Sequence, residues 1–221
     1  MRRGILLVVS GPSGVGKNRL ITELRRVMPD LHYSVSATTR PPRPGEIDGV
    51  HYFFLSQEVF EQWKQEGRLL EWAEYCGHYY GTPAEYIEHE LAAGQTVVMD
   101  VETSGAAQIR RRLPEAVMVF ILPPSLAELR HRLELRGTDA PATILNRLRS
   151  AYSELQKMRD YDYVVLNDSL ETAVNSLATI VRAERLKVSR SDYGQLLETI
   201  HQETLRWEGR LVEEGEHPCS V

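Results

Sequence analysis

The chain has little cysteine, no long apolar run and no excess of positive charge, and each shortage excludes a class of protein. Cys76 and Cys219 are the two cysteines in 221 residues, too few for a disulfide framework, which favours a reducing cytoplasm. No apolar stretch approaches the roughly 20 residues needed to cross a bilayer, so a membrane partner is not expected. Met1-Arg2-Arg3 before Ile5-Leu6-Leu7-Val8-Val9 has the order of a signal peptide, but the apolar run is too short and passes straight into a glycine-rich loop. Lysine and arginine number 26 against 31 aspartates and glutamates, a net charge of −5. That balance argues against general nucleic-acid binding and favours a small phosphorylated ligand held by local arginine clusters. There is no internal repeat and no low-complexity tract. What remains is an ordinary composition and length for one α/β domain with a buried core.

The chain is organised around Ser10-Gly11-Pro12-Ser13-Gly14-Val15-Gly16-Lys17-Asn18. An apolar run, Ile5 to Val9, precedes it and a helix-like pattern follows, which is the context of a phosphate-binding loop between strand and helix. Glycines here let successive backbone N–H groups turn toward one anion at the positive end of a helix, within reach of Lys17. One position departs from the pattern. The residue after the lysine is normally Ser or Thr, whose hydroxyl ligates Mg²⁺, and here it is Asn18.

In chain order, a helix is predicted from Lys17 to about Met28, with Leu20, Ile21, Leu24 and Val27 on its packed face. Ser34 to Arg40 reads as a strand, Pro41 to Glu46 as a constrained loop, and His51 to Leu55 as a second short strand after an Asp48-Gly49 turn. Glu58 to Glu66 is helix-like, Leu69 to Tyr75 and His78 to Thr82 pair as strands around Gly77, and Pro83 to Ala93 is a helix ended by Gly94. Thr96 to Asp100, Val117 to Leu122 and Tyr163 to Asn167 are apolar runs of the kind that fill a buried parallel sheet, the first ending in a carboxylate at the ligand-binding edge. Ser125 to Arg136 and Ala142 to Met158 are helical and rich in arginine, a candidate lid, though solvated faces account for about half of those arginines. Leu170 to Leu186 closes the core. Beyond it, Tyr193, Leu197, Ile200, Thr204, Trp207 and Leu211 follow 4-3 spacing in one amphipathic helix, expected to dock on the chain's own core, with a dimer seam as the alternative. Gly215 to Val221 is expected to be disordered.

Gly11 to Lys17, Ser36-Ala37-Thr38-Thr39-Arg40-Pro41-Pro42-Arg43-Pro44-Gly45-Glu46, Glu71-Trp72, Tyr79-Tyr80-Gly81 and Arg136-Gly137-Thr138 stand in the order and spacing of one family. Over residues 4–186 the chain resembles guanylate kinases. The resemblance implies a P-loop NTPase-type parallel sheet flanked by helices (core 1–33, 95–124 and 159–188), a small mixed β GMP-binding insertion (34–94) and a helical lid (125–158), all within 1–188. Residues 189–221 form the added helix and tail. It implies reversible transfer from ATP to GMP, giving ADP and GDP in purine nucleotide metabolism, with Mg²⁺ required and a monomer or homodimer as the working unit.

The resemblance also places residues. Gly11, Pro12, Ser13, Gly14, Val15, Gly16, Lys17 and Asn18 would hold ATP, joined by Asn167, which reads equally well as a turn amide. Lys17, Arg132, Arg136 and Arg147 match the positions around the ATP phosphates and lid, and Asp100 the place of an acid that orients metal-bound water or the acceptor. Guanine presents N1–H and N2–H₂ as adjacent donors, so an ionised carboxylate at Glu71, which only accepts, selects it over adenine. A plain strand carboxylate is the alternative. Ser36 and Thr82 are placed to donate to guanine O6 or to satisfy local backbone, and Arg40, Arg43, Tyr52 and Tyr80 to grip the GMP phosphate. Glu102 stands where the family has aspartate, moving its carboxylate by about one carbon–carbon bond. Asn18 offers Mg²⁺ no more than a neutral amide oxygen. Two other functions stay open: a non-catalytic interaction module of the same fold, and a kinase of another phosphate ester such as a ribose phosphate.

Overall fold

A computed structural model describes residues 3–75, 77–135 and 141–213. Cys76, Cys219, Arg136, the Gly137-Thr138-Asp139 link and the 215–221 tail lie outside the described residues.

The core is one five-stranded parallel sheet, ordered β2-β7-β1-β8-β9. Its strands are β1 (Ile5–Ser10), β2 (Leu31–Tyr33), β7 (Thr96–Asp100), β8 (Val117–Leu122) and β9 (Tyr163–Leu166). Central strands of a parallel sheet are covered on both faces, and β1 is buried at all six positions. Its alternate residues divide the core. Ile5, Leu7 and Val9 pack with Leu20, Ile21 and Leu24 of α1 (Lys17–Val27) and with Leu177 and Val181 of α7 (Leu170–Arg185). Leu6 and Val8 face the other way, onto Ile87 and Leu91 of α3 (Ala84–Ala92) and Ala106 and Ile109 of α4 (Thr103–Arg112). Helix α3 therefore packs on the main sheet, although its sequence lies in the stretch assigned to the insertion.

The second sheet is mixed, ordered β4-β3-β6-β5. It comprises β3 (Ser36–Thr38), β4 (Tyr52–Phe54), β5 (Leu69–Tyr75) and β6 (His78–Pro83), with α2 (Gln57–Gln65) between β4 and β5. β3 pairs parallel with β4 and antiparallel with β6. Phe60 of α2 fills its small core with Ala37 and Leu69. Helices α5 (Leu126–Leu135) and α6 (Pro141–Leu155) follow β8, and a 3₁₀ turn over Gln156–Asp160 replaces the predicted continuation of α6 to Met158.

Three further expectations are corrected, and one strand is added. The strand expected over Ser34 to Arg40 is only three residues long, because Ser34 N–H still bonds Val98 O on the main sheet before the chain leaves it. Leu31–Tyr33 is a separate strand paired with β7. Val27 is exposed and Met28 takes its place in the core. The last helix, α8 (Gly194–Glu213), does not dock: residues 194–208 and 210 are all exposed. Among the described residues no helix is long and apolar enough to cross a membrane.

Candidate active site

β1 delivers the phosphate loop, and the loop depends on its lack of side chains. Gly11 sits at φ 145°, and a Cβ there would meet Ile121 O at 2.5 Å, so the chain can turn away from β8 only at glycine. Lys17 Nζ donates back to Gly11 O at 2.9 Å. Val15 N–H donates to Pro12 O at 3.2 Å inside the loop, and Val15 O accepts from Asn167 Nδ2 at 2.7 Å and Arg132 Nη1 at 3.3 Å. Arg132 Nη2 reaches Asn167 O at 3.0 Å, and its Nε donates to Glu128 at 2.8 Å. Asn167, just past β9, is thus a buried anchor of the loop. Arg147 on α6 donates to Ser13 Oγ at 3.2 Å.

Gly11, Ser13, Gly14, Gly16, Lys17 and Asn18 line a cavity of about 500 Å³, closed on the far side by Asp100, Glu102 and Glu154. Glu154 carries no motif signal and was missed in the sequence. Burial, then the charge of Glu102, push its carboxyl above the usual range, while Lys17 and Lys157 oppose the shift.

A second cavity, of about 290 Å³, is lined by Ser36, Tyr52, Glu71, Tyr80, Asp100 and Glu102, with Asn18 again at its wall. Asn18, Asp100 and Glu102 therefore stand between the two spaces. Glu71 on β5 is buried, and its Oε1 accepts the hydroxyl proton of Thr82 at 2.8 Å. Burial pushes its carboxyl up to about 7; the Thr82 bond opposes this and the Asp100 and Glu102 charges add to it. Helix α4 lies directly against this carboxylate: a Cβ at Gly105 would lie 2.8 Å from Glu71 Oε2, so any larger residue there would displace the Glu71 side chain. A helical glycine gives no such signal in a single sequence.

The loop after β3 completes the wall. Arg40 Nη2 lies 2.8 Å from Glu46 Oε1, and its guanidinium stacks 5.4 Å over the Tyr52 ring, itself edge-on to Tyr80 at 6.2 Å. The Arg40 guanidinium, then the Arg43 N–H donating to Oε2, hold Glu46 down at about 2. The Arg43 residue is exposed on the loop, linked to this group by that N–H. Glu46 lies in the expected loop and Tyr33 in no expected element, yet Glu46 holds Arg40 and Tyr33 Oη donates to Asp100 Oδ1 at 2.8 Å. Arg136 falls outside the described residues.

A glycine-built phosphate cavity and a carboxylate-floored cavity behind one wall match the pattern of a nucleotide kinase. The family model described as guanylate kinase matches residues 3–184. The chain belongs to the guanylate kinase family. It is similar to the guanylate kinases of Desulfitobacterium hafniense, 48% identical over 190 residues (86% of this chain, 95% of that protein), and of Bacillus subtilis, 48% identical over 189 residues (85% and 93%). That of Rubrobacter xylanophilus is 50% identical over 182 residues (82% and 95%). Among solved structures, a guanylate kinase from Anaplasma phagocytophilum aligns at TM-score 0.68 and 31% identity, covering 89% of this chain and 94% of that one. The parallel sheet, phosphate loop and mixed second sheet are thus a P-loop kinase fold. The family model's match ends at residue 184, before α8 begins.

Proposed function

We propose that the phosphate-loop cavity takes ATP, that the cavity floored by Glu71 takes GMP, and that the γ-phosphoryl crosses the wall between them. By family the chain is a guanylate kinase, an ATP-dependent kinase of GMP. The observation that carries the assignment of sites is the shared wall: Asn18, Asp100 and Glu102 line both cavities, so donor and acceptor are neighbours. Phosphoryl transfer asks a protein mainly for positioning and positive charge around the moving group.

The remaining roles follow from the contacts. Lys17 and Arg147 supply charge on the ATP side, with Arg136 and Arg132 as the family pattern places them. Ionised Glu71 accepts guanine N1–H and N2–H₂, and Thr82, whose hydroxyl proton is committed to Glu71, orients it. Ser36 is then the hydroxyl for guanine O6. Arg40, held by Glu46, binds the GMP phosphate with Tyr52, Tyr80 and Arg43. Asp100 orients the acceptor, and Glu102 lines the ribose side.

Among the described residues no three of His, Cys, Asp or Glu gather into a metal cage. The donors at the wall, two carboxylates and an amide, still fit a Mg²⁺ carried by nucleotide phosphates and water, which is how this ion is usually held. Bound there by Asn18 and Asp100, it would neutralise charge on the β- and γ-oxygens. The reading carries a cytoplasmic location and small-molecule partners, ATP and GMP, with neither nucleic acid nor membrane required. A binding-only module need not keep Lys17, the phosphate-loop glycines or the lid arginines, and a ribose-phosphate kinase leaves Glu71 without a guanine to read. A coupled assay of ADP formation with GMP, dGMP, AMP, UMP and CMP tests it: GMP should be strongly preferred, and equal turnover of AMP would contradict the assignment.

A further inference from the structure

Ile144 and Ala151 of α6 are buried in the core cluster that also holds Val15 of the phosphate loop. Arg147 and Glu154, seven residues apart, share the neighbouring face of that helix. Two contacts fix where this face lies. Near one end Arg147 donates to Ser13 Oγ at 3.2 Å, and just past the other Lys157 Nζ donates to Thr103 Oγ1 at 3.3 Å. Between these anchors Glu154 meets the wall of the cavity of about 500 Å³ that Gly11, Ser13 and Lys17 also line.

A carboxylate is the wrong sign for a wall and the right sign for a ligand. A phosphate loop presents N–H groups, helix dipole and lysine to an anion, and Glu154 is an anion supplied by the chain itself. Against burial and the charge of Glu102, its ionised form is favoured by Lys17, Lys157 and the Ser13 N–H. Two of those three belong to the phosphate loop. An incoming nucleotide phosphate calls on the same groups and is repelled by the carboxylate, so binding of one disfavours the other.

We propose that Glu154 is an internal counter-ion of the empty phosphate loop, standing where a nucleotide phosphate would and competing with it. The inference rests on the reading of this cavity as the ATP site. A ligand that must first displace an internal anion binds with an apparent affinity reduced by the fraction of molecules already open. Glu154 thus weakens nucleotide binding and, by returning to the loop, helps ADP leave.

Calorimetric titration of the full chain with ADP and Mg²⁺ tests it. Glu154→Gln keeps the shape and removes the charge, and it should lower the Kd for ADP by about fivefold or more. Glu154→Ala should act in the same direction, while Glu154→Asp, which keeps the charge, should stay close to the unmodified chain. Unchanged GMP affinity in the second cavity shows the fold intact. An ADP Kd that is unchanged or raised in both Glu154→Gln and Glu154→Ala overturns the proposal, because removing a carboxylate that only braces α6 or orients Lys17 does not tighten binding. Lys17→Ala should weaken ADP in the same titration. Undiminished ADP binding in Lys17→Ala would contradict the assignment of the cavity to ATP, and the proposal would fall with it.

Discussion

Tyr33 gives its phenolic proton to Asp100, Oη to Oδ1 at 2.8 Å, and so fixes the carboxylate that stands between the two cavities. Loss of water around the hydroxyl, then the Asp100 charge, push the phenol up, so it remains a donor across the working range. Tyr33→Phe removes one hydrogen bond to a charged group without emptying the space. It should lower kcat by about tenfold with little change in the KM for ATP. Unchanged kcat would show that Asp100 needs no such support.

Lys17 and Arg40 serve different partners and should fail differently. Lys17→Ala should lower kcat strongly, on the order of a hundredfold, as loss of a charge aimed at the transferring group does. Arg40→Ala should instead raise the KM for GMP. Glu46→Gln should do the same more mildly, since Arg40 loses the carboxylate that holds it. Steady-state kinetics varying each substrate separates these outcomes, and a rise confined to the KM for ATP in all three would contradict the two-site assignment.

How much was legible in the sequence follows from how each signal is made. Long apolar runs such as Val117 to Leu122 announce buried parallel strands, and the phosphate loop announces itself by spacing. Leu31–Tyr33 has three residues with only Leu31 buried, too short for any period. Helix α4 has no side-chain cap and opens with Thr103-Ser104-Gly105, so local propensity argues against it; its packing against β1 and Glu71 decides. Among the residues lining the two cavities, Lys17, Asn18, Glu71 and Tyr80 stand in motifs, whereas Glu154 and Tyr33 do not. Thr82 stands opposite Glu71 in the hairpin expected around Gly77, whereas Tyr33 serves Asp100 from 67 positions away, across a pairing of separate strands that no local pattern encodes.

Asn18 lines both cavities with an amide where the phosphate-loop pattern has a hydroxyl. Asn18→Ser should raise kcat/KM or lower the Mg²⁺ needed for half-maximal rate, by up to about tenfold, the equivalent of roughly 1.4 kcal/mol. Titrating Mg²⁺ at saturating ATP and GMP checks this. Coincident curves for the two proteins would show the substitution to be without mechanistic weight.

Binding of GMP should weaken as pH falls. Glu71 titrates near 7 in the free protein rather than near 4.5, so below 7 it is increasingly protonated, while guanine recognition needs the ionised form. The KM for GMP should rise by about tenfold per pH unit below 7. The same raised carboxyl makes the fold more stable below the unfolded value, and that contribution is lost as pH rises through 7. Because the GMP phosphate also titrates near pH 6, the informative quantity is the difference between the unmodified chain and Glu71→Gln. A parallel pH dependence in both would assign the effect to the nucleotide.

The most direct test of guanine selection is the ratio of kcat/KM for GMP to that for AMP in Glu71→Gln. The amide keeps the shape of the side chain and places a donor where guanine offers donors. The ratio should fall by about thirty- to a hundredfold, corresponding to roughly 2–3 kcal/mol for a charge-assisted pair. A ratio equal to that of the unmodified chain would contradict the assignment of Glu71 as the residue that reads guanine.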